Sequence, residues 1–277
     1  MTHLVFGATS MVGELICSHL REQGERAISA SRRYGVDLTK AESLASLQPA
    51  DTVICTAHVN LMAPALHHIL KSCRPRRVVI FSSTSVFTKT DSSEEFDRLA
   101  AAHLANAEQS IIEKCQAGNV EWTILRPTLV YREGRDNNVT QIARLVEQFG
   151  FMPLYGAASG MRQPVNAQDM ALGAVAAARS RAAANKAYNT AGLETISYRE
   201  MAGRVFDGLS RKRRLVSLPP VLWRSAFRLI KPIYPTVTAA MGERMMKNMA
   251  FDSSAAIRDF GWTARPFLPS FHAKARA

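Results

Sequence analysis

The sequence predicts an α/β protein built on a doubly wound parallel sheet, with a smaller region at the C-terminal end. Short apolar runs alternate with amphipathic stretches through the first half of the chain, which is typical of βαβ units. A glycine-rich turn follows the first apolar run directly. Right-handed crossovers then place helices on both faces of the sheet. We predict a first domain over 1–160 and a smaller, partly interleaved region over 161–277.

The predicted elements alternate along the first half of the chain. Strands are expected from apolar runs at 3–7, 26–31, 51–55, 77–82 and 120–125. Helices are expected between them at 11–23, 40–48, 61–73 and 93–117. The later half is less regular, and helices are expected near 138–149, 167–183 and 197–209, with a further segment at 219–249.

Composition places the chain among soluble globular proteins. Its 277 residues are 47% hydrophobic and 21% charged, which is enough for a sizeable core. The four cysteines are scattered, so we predict reduced, mostly buried thiols in a cytoplasmic protein, and neither a disulfide framework nor a metal site. The first strand begins close to the N-terminus, and apolar runs of about 18 residues do not occur. We therefore expect neither a signal peptide nor a membrane-spanning helix.

The net charge of +12 is concentrated toward the C-terminal end. Residues 199–231 hold nine Lys or Arg against two acids. Such a surface favours anionic partners, although a solvated basic face is an equally open interpretation. Nucleic acid is not an expected partner, because the basic stretch has no recognisable reader motif.

An amphipathic pattern follows the basic run RKRR at 211–214. Residues 221–231, VLWRSAFRLIK, place apolar side chains on one helical face and basic side chains on another. This pattern suits an interfacial helix, so 211–231 could contact an anionic membrane peripherally, on its inner face. The alternative is that the apolar face closes the C-terminal region of the fold.

Residues 5–16, VFGATSMVGELI, predict a phosphate-binding turn. Gly7 ends a strand, where a tight turn needs a positive φ, and Gly13 lies in the first turn of a helix, where it permits close packing. The helix N-terminus offers free N–H groups to a pyrophosphate. Ser10 stands where the usual fingerprint has its middle glycine, and its hydroxyl could donate to a phosphate. The alternative is a helix cap with tight packing.

The end of the second strand indicates which nucleotide binds. The stretch ASRRYG carries Arg32 and Arg33 and no acid. Guanidinium groups match the geometry of a 2′-phosphate, whereas an acid would accept from the ribose hydroxyls of NAD. We therefore predict NADP(H) as the preferred cofactor and keep NAD(H) as the alternative. The two arginines could also be merely exposed.

Several motifs in order resemble one enzyme family. They are GATSMVG at 7–13, VDLT at 36–39, CTAH at 55–58, FSSTSVF at 81–87, ILRPTLVY at 124–131 and RQPVNAQD at 162–169. Over about residues 3–200 the chain resembles the extended and atypical short-chain dehydrogenase/reductases, the NAD-dependent epimerase/dehydratase group. The resemblance implies an NAD(P)-binding Rossmann domain over 1–160 and a substrate-binding region over 161–277. It also implies a homodimer formed through the helices at about 61–73 and 93–117.

The resemblance also implies the residues of the site. Arg162 would contact a substrate phosphate, and Asp37 would lie near the adenine. The residues implied to bind the cofactor are Gly7, Thr9, Ser10, Met11, Val12, Gly13, Ser31, Arg32, Arg33, Asp37, Leu38, Thr56, Ala57, His58, Pro127 and Thr128.

The usual catalytic pair of that family, Tyr-x-x-x-Lys, has no counterpart here. When Glu108 is placed on the glutamate that often follows the pair, Ala100 takes the tyrosine position and Leu104 the lysine position. Alanine cannot move a proton, and leucine cannot hold a ribose or lower the pKa of a phenol.

Three other residues are the candidates for catalysis. Ser83 falls where the family has its catalytic serine or threonine, and Thr84 falls where some dehydratases have an acid or base. His103 follows Ala100 by three residues and could replace the missing acid or base, since histidine titrates in the right range. His58, near the cofactor loop, is a weaker candidate of the same kind, and a surface histidine is the alternative for both.

Two hypotheses follow from these motifs. The first is an NADP(H)-dependent epimerase, reductase or dehydratase that acts on a nucleotide-linked or lipid-linked, and so phosphorylated, sugar. The second is a non-catalytic NADP(H)-binding sensor or structural subunit that has lost the Tyr/Lys pair. Ser83 and the segment that begins at Arg162 favour the enzyme, and the substitutions at Ala100 and Leu104 favour the binding module.

Overall fold

A six-stranded parallel sheet forms the centre of the molecule. The computed structural model describes residues 1–90, 94–223, 225 and 239–271. Its strands are β1 (Thr2–Phe6), β2 (Arg26–Ala30), β3 (Thr52–Cys55), β4 (Arg77–Phe81), β5 (Glu121–Pro127), β6 (Val130–Tyr131), β7 (Met152–Tyr155), β8 (Met161–Arg162), β9 (Val165–Asn166), β10 (Lys186–Thr190), β11 (Ile196–Ser197) and β12 (Leu215–Leu218). The order in the main sheet is β2-β1-β3-β4-β5-β10, and every pair is parallel.

Helices connect these strands and cover both faces of the sheet. They are α1 (Gly13–Glu22), α2 (Ala41–Ala45), α3 (Val59–Cys73), α4 (Ser85–Thr88), α5 (Glu95–Ala117), α6 (Val139–Phe149), α7 (Ala167–Arg179), α8 (Tyr198–Gly208), α9 (Ala239–Arg244) and α10 (Ser254–Phe260). Two short 3-10 helices, Arg32–Tyr34 and Arg181–Ala183, also lie among the described residues. The predicted doubly wound α/β sheet is therefore confirmed.

The two layers of helices bury opposite sides of the same strands. Successive side chains of a strand point to opposite faces. Val5 accordingly packs with α1 and α7, while Leu4 and Phe6 pack with α3 and α5. A third apolar cluster joins α6, α8 and β7 around Tyr131 and Phe267 and forms the core of the smaller region.

The strand order reverses between β1 and β3, and this reversal determines where a ligand can bind. Phe6 pairs with Ala30 on one side and with Cys55 on the other. The crossovers that follow β1 and β3 leave to opposite faces, so a crevice opens beyond their carboxyl ends. Such a switch point is where open α/β sheets bind ligands. Gly7 and Thr56, the residues after these two strands, therefore border the expected site.

Most predicted elements of the first half are confirmed with small changes in their bounds. The helix expected at 40–48 is shorter, because α2 spans only Ala41–Ala45. The helix expected at 167–183 ends at Arg179 and continues after Ser180 as a 3-10 turn. The short strands of the second half were not predicted, and β10 supplies the sixth strand of the main sheet from within the range 161–277. The domain boundary at residue 160 stays a prediction.

The basic C-terminal segment is only partly within the described structure. Of the segment expected at 219–249, residue 224 and residues 226–238 lie outside the described residues, so the amphipathic pattern of 221–231 is not described as a whole. Trp223 packs edge-on against Tyr155, with 5.8 Å between their ring centroids. Within the described part of the chain, every helix is too short or too polar to cross a membrane.

Arg77 joins the sheet to the end of α7. Its side chain is buried, and Nη1 donates to the carbonyls of Ala177 and Ala178 at 3.1 and 3.2 Å and to that of Ser180. The Nε of the same guanidinium donates to Glu121 at 3.0 Å. The unpaired carbonyls at the C-terminus of α7 thus receive a buried cation, which also complements the helix dipole.

Candidate active site

The glycine-rich loop is packed tightly against the end of β3. Gly7 has a φ of +71°, and a Cβ there would come within 2.6 Å of Thr56 Oγ1 and 2.8 Å of the Ala57 amide nitrogen. A Cβ on Gly13 would lie 2.2 Å from the Gly7 carbonyl oxygen. Only glycine fits at either position without moving backbone. The spacing of the two glycines is therefore explained by contact between the loop, α1 and β3.

The Ser10 hydroxyl is bonded within the loop. Its Oγ accepts from the Gly13 amide at 2.9 Å and lies 2.9 Å from Thr56 Oγ1. Thr56 Oγ1 in turn lies 3.1 Å from the carbonyl oxygens of Phe6 and Gly7. The serine thus ties the first turn of α1 to the ends of β1 and β3.

Three amides of the same loop have no acceptor within the described part of the chain. They belong to Thr9, Met11 and Val12, whereas the amides of Ser10 and Gly13 are bonded to Gly7 and Ser10. Unpaired amides at the start of a helix form a concave anion site. This donor set fits the pyrophosphate of a dinucleotide.

The residues after β2 lie where an adenosine ribose would be expected. Arg32 and Arg33 are exposed in the 3-10 turn. Ser31 precedes them, and its buried Oγ finds no hydrogen-bond partner among the residues that the structure describes. A buried hydroxyl without a partner is uncommon, so this atom is available to a ligand.

Asp37 and Leu38 follow the same turn. Oδ1 of Asp37 accepts from the Thr39 amide at 3.0 Å and the Thr39 hydroxyl at 2.8 Å. These bonds lower the pKa of Asp37, so its carboxylate is ionised at neutral pH. Leu38 is partly buried and packs against the core on the α3 side.

The end of β3 carries Thr56, Ala57 and His58. His58 is exposed, and its Nδ1 accepts from the Asn60 amide at 3.3 Å, so it caps α3. Burial raises the pKa of the neighbouring Cys55 thiol to about 12. Cys55 is therefore a protonated thiol and not a nucleophile at neutral pH.

The predicted catalytic hydroxyls lie at the end of β4. Ser83 is half-buried, and its Oγ donates to Ser85 Oγ and accepts from the Ser85 amide, each at 3.0 Å. Thr84 is buried, and its Oγ1 donates to the Pro127 carbonyl at 3.1 Å. Thr84 is thus used to join the ends of β4 and β5, while Ser83 is the more accessible of the two.

Helix α5 places Leu104 and His103 on different faces. Leu104 is 7% exposed and belongs to the apolar core beneath the sheet. Glu108, one turn further, is 4% exposed and accepts from Ser82 Oγ at 2.5 Å and from Arg126 Nε at 3.1 Å. His103 is exposed to solvent. The helix face that carries Leu104 and Glu108 therefore supplies packing and an ion pair.

The end of β5 approaches the smaller region. Pro127 is buried, and the Oγ1 of Thr128 donates to the Gln163 carbonyl at 2.5 Å. The guanidinium of Arg126 lies over the Phe87 ring, 5.1 Å from its centroid. Phe87 in turn lies 6.1 Å from Phe251, so an aromatic surface borders the site on this side.

Arg162 is buried between β8 and the segment around α9. It is 5% exposed, and its Nη1 donates to the carbonyls of Met161 and Lys247 at 2.7 and 2.8 Å. Its Nη2 donates to the Arg244 carbonyl. In this arrangement the guanidinium holds backbone together. The contact with a substrate phosphate stays a prediction.

A pair of arginines that the sequence did not single out lies against the glycine-rich loop. Arg132 donates to the Met11 carbonyl at 3.0 Å, and Arg135 donates to the Thr9 carbonyl at 3.3 Å. Both pair with Glu14 in the first turn of α1, and the bond from Arg135 lowers the pKa of Glu14. The sequence signal is the short run REGR at 132–135, directly after β6.

The four cysteines are all buried and free. Within the described residues, groups of three or more potential metal ligands do not come together.

The fold and this loop define a Rossmann-type nucleotide-binding protein. The model of the NAD dependent epimerase/dehydratase family matches residues 3–191. The chain belongs to this family. No curated protein matches the sequence.

Solved structures share the fold at low sequence identity. The UDP-glucose 4-epimerase of Thermotoga maritima, with UDP-glucose, superposes with a TM-score of 0.73 at 13% identity, covering 96% of this chain and 94% of that one. The UDP-glucuronic acid 4-epimerase of Bacillus cereus, in complex with UDP-glucuronic acid and NAD, gives 0.72 at 14% identity, covering 97% and 95%. The UDP-glucose 4-epimerase of Thermus thermophilus, in complex with NAD, gives 0.67 at 18%, covering 96% and 94%.

Proposed function

We propose that this protein binds NADP(H) and acts as an epimerase-, reductase- or dehydratase-type oxidoreductase on a nucleotide-linked or lipid-linked sugar. The observation that carries the proposal is the set of unpaired amides at Thr9, Met11 and Val12, in a glycine-rich loop at the switch point of the sheet. Solved structures with the same fold include UDP-sugar 4-epimerases, and two of them are complexes with NAD.

The choice of NADP(H) rests on the end of β2. Ser31 offers a buried hydroxyl without a partner among the described residues, and Arg32 and Arg33 are exposed beside it. A 2′-phosphate would accept from all three groups, whereas the free ribose hydroxyls of NAD would find no acid there. NAD(H) stays the alternative cofactor.

In the proposed reaction the nicotinamide supplies hydride transfer, and the protein supplies position and a route for the proton. Ser83 Oγ would bind the reacting hydroxyl or ketone of the sugar, because Ser83 is half-buried at the end of β4, whereas Thr84 is buried. A serine is a poor base by itself, so the proton has to leave through water or an imidazole. His103 remains the proposed residue, although its ring is exposed.

A second function is supported by the packing of α5. Leu104 occupies core, and Glu108 is committed to Ser82 and Arg126, so this helix face leaves little space for a proton relay. This arrangement favours a binding protein that holds NADP(H) without turning over a substrate. Both functions share the cofactor site and differ in whether Ser83 and His103 act on a substrate.

Calorimetric titration with NADPH, NADH, NADP and NAD tests the shared part of the proposal. We expect the two phosphorylated forms to bind more tightly than the other two. If none of the four binds, the cofactor proposal and both functions fail together.

Turnover separates the two functions. We would follow UDP-glucose with the bound cofactor by NMR, comparing the wild-type protein with Ser83→Ala and with Ser46→Ala, an exposed control serine. Turnover that only Ser83→Ala abolishes supports the enzyme. Turnover that survives in Ser83→Ala contradicts the role of Ser83, and absence of turnover across a panel of nucleotide sugars favours the binding protein.

Two further proposals concern partners. Phe96 and Leu99 of α5 and Leu61 of α3 are exposed apolar side chains on the helices through which we propose a homodimer.

The second proposal is peripheral contact of residues 211–231 with an anionic membrane. Within the first part of that segment, Arg213 pairs with Glu200 and Asp207, and Arg211 donates to the Val146 carbonyl at 3.0 Å. Sedimentation and vesicle flotation test the two proposals.

A further inference from the structure

Arg132 and Arg135 reach the glycine-rich loop from a turn more than a hundred residues away in sequence. Their guanidinium groups donate to the carbonyls of Met11 and Thr9. These are two of the three loop residues whose amides have no acceptor within the described chain. Each arginine therefore contacts the same peptide segment that presents free donors to an anion.

The turn that carries the two arginines is held rigidly. Asp136 is buried, and its carboxylate accepts from the Asn138 amide at 2.8 Å and from the Thr140 hydroxyl at 2.6 Å. The amides of Arg135 and Asp136 both donate to the Arg132 carbonyl, at 2.9 and 3.1 Å. Gly134 supplies the positive φ of +78° that the turn needs. A preorganised backbone lowers the entropy lost when the two side chains bind a ligand.

The charges of this group are unequal. Two guanidinium groups pair with a single carboxylate, Glu14, which lies in the first turn of α1. Glu14 is therefore shared between two guanidinium groups beside the free amides, while the Asp136 carboxylate of the same turn is bonded to Asn138 and Thr140. The side chains of Glu14 and of both arginines are about one-third to two-fifths exposed, so an incoming anion can reach them. Guanidinium groups bind phosphate oxygens at least as well as carboxylate oxygens.

We infer that Arg132 and Arg135 form a clamp on the pyrophosphate of the cofactor, and that Glu14 occupies the clamp until the pyrophosphate arrives. The inference rests on the proposed cofactor function, because it needs a dinucleotide in the loop. Arg132 and Arg135 would then bind the pyrophosphate, which NAD and NADP have in common. Arg32 and Arg33 would bind the 2′-phosphate, which only NADP carries.

The Glu14 carboxylate determines whether a substitution raises or lowers the affinity for the cofactor. Its carboxylate competes with the pyrophosphate for both guanidinium groups and repels it at the same helix end. Removing this charge should tighten cofactor binding, whereas removing either arginine should weaken it. A purely structural ion pair makes a different prediction, because loss of any of the three partners would then disturb the loop in the same direction.

Calorimetry on the full chain tests the clamp with NADP, NAD, ADP and adenosine as ligands. We expect Arg132→Gln and Arg135→Gln each to raise the Kd for NADP, NAD and ADP by about tenfold, and to leave adenosine unchanged. Glu14→Gln should lower the same three Kd values by about threefold or more. Arg144→Gln is the matched control, since Arg144 is an exposed arginine of α6. The melting temperature of each variant shows that it is folded.

The outcomes separate this inference from the proposed function. If the wild-type protein binds none of the four ligands, the proposed function fails. If the wild-type protein binds NADP or NAD and the two arginine variants bind them equally well, the clamp is wrong and the cofactor function stands. Weaker or unchanged binding in Glu14→Gln also overturns the clamp, because the competing charge would then have no effect.

Discussion

The Gly13 amide donates to the Oγ of Ser10 at 2.9 Å, which ties Ser10 to the first residue of α1. The serine side chain therefore accepts a hydrogen bond that a glycine, the middle residue of the usual fingerprint, could not accept. The neighbouring amides of Met11 and Val12 have no acceptor in the described chain. The departure from the fingerprint changes how the loop is stabilised and keeps the donors that a phosphate requires.

Replacement of Ser10 by alanine should lower stability. The variant loses the bond from the Gly13 amide and the contact with Thr56, so we expect the free energy of unfolding to fall by about 1 kcal/mol. Urea unfolding measures the change. Ser18→Ala, which removes an exposed bond to Glu22 on the same helix, is the control and should lie within about 0.5 kcal/mol of the wild-type protein. Equal stability of the two variants would contradict the stabilising role of these Ser10 contacts.

Replacement of Arg32 and Arg33 should change cofactor preference. The double alanine variant loses two cations beside Ser31, so we expect the Kd for NADP to rise by about tenfold or more while the Kd for NAD stays the same. Calorimetry with both nucleotides measures the ratio, with Arg26→Ala at the start of β2 as the control. A parallel loss for both nucleotides would show that the arginines do not recognise the 2′-phosphate.

Leu104→Ala tests whether Leu104, which the sequence analysis predicts at the lysine position of the family motif, is a core residue. The side chain is buried with α3 and β4 residues, so its truncation should cost about 2 to 4 kcal/mol of stability. The Kd of the cofactor should not change at a temperature where the variant is folded. Thermal unfolding and calorimetry measure the two effects. Loss of cofactor affinity without loss of stability would place Leu104 in the cofactor site.

Arg162→Met tests the buried guanidinium. The substitution leaves the carbonyls of Met161, Arg244 and Lys247 without this donor, so we expect stability to fall by about 2 to 4 kcal/mol. Arg258→Met, at a well-exposed arginine, is the control. An unchanged melting temperature with a raised KM for a nucleotide sugar would instead support the substrate-phosphate role.

Asp259 gives the protein an acid-sensitive contact. A hydrogen bond from Tyr188 and a second from Lys186 lower the pKa of Asp259 from its ordinary 3.8 to about 2. Because the folded pKa is the lower one, the ionised carboxylate stabilises the fold above the unfolded pKa, and this contribution is lost as the pH falls toward 2.

The pH dependence of unfolding checks this assignment. We expect Asp259→Asn to be less stable than the wild-type protein at neutral pH and the two stabilities to converge as the pH falls from about 4 to about 2. Glu42→Gln, on the exposed surface of α2, is the control. A stability difference between wild type and Asp259→Asn that is constant across this range would contradict the shifted carboxyl.

The sequence predicted the parts of the fold that are decided locally. The run VVIF in β4 is buried throughout, so it is recognisable as a strand without any tertiary information. The strand KAYNT of β10 was missed because it is an edge strand with only Tyr188 and Thr190 buried among polar or small neighbours. Its pairing with β5 depends on the rest of the sheet, and propensity alone does not show it.

In the site, too, local features were predictable from the sequence and long-range contacts were not. Gly7 and Gly13 were predictable because a strand, a turn and a helix are contiguous in sequence. The pairing of Glu14 with Arg132 and Arg135 was not, because it joins residues 118 and 121 positions apart. The burial of Arg162 likewise depends on carbonyls more than eighty residues further along the chain. A sequence motif identifies residue types, and the fold decides which partner each one meets.

The buried guanidinium of Arg77 has a consequence for how the molecule opens. It bonds the last carbonyls of α7 from the first residue of β4, so fraying of this helix end would leave the buried Nη1 of Arg77 without its acceptors, although Nε keeps its bond to Glu121. Helix ends usually exchange their amide hydrogens by local fraying, whereas this one should exchange together with the central strands as a single cooperative unit. Helix α7 begins at Ala167, next to the segment that holds Arg162. If the N-terminal end of α7 moves, the helix should therefore turn about its C-terminal end, which Arg77 holds to the sheet.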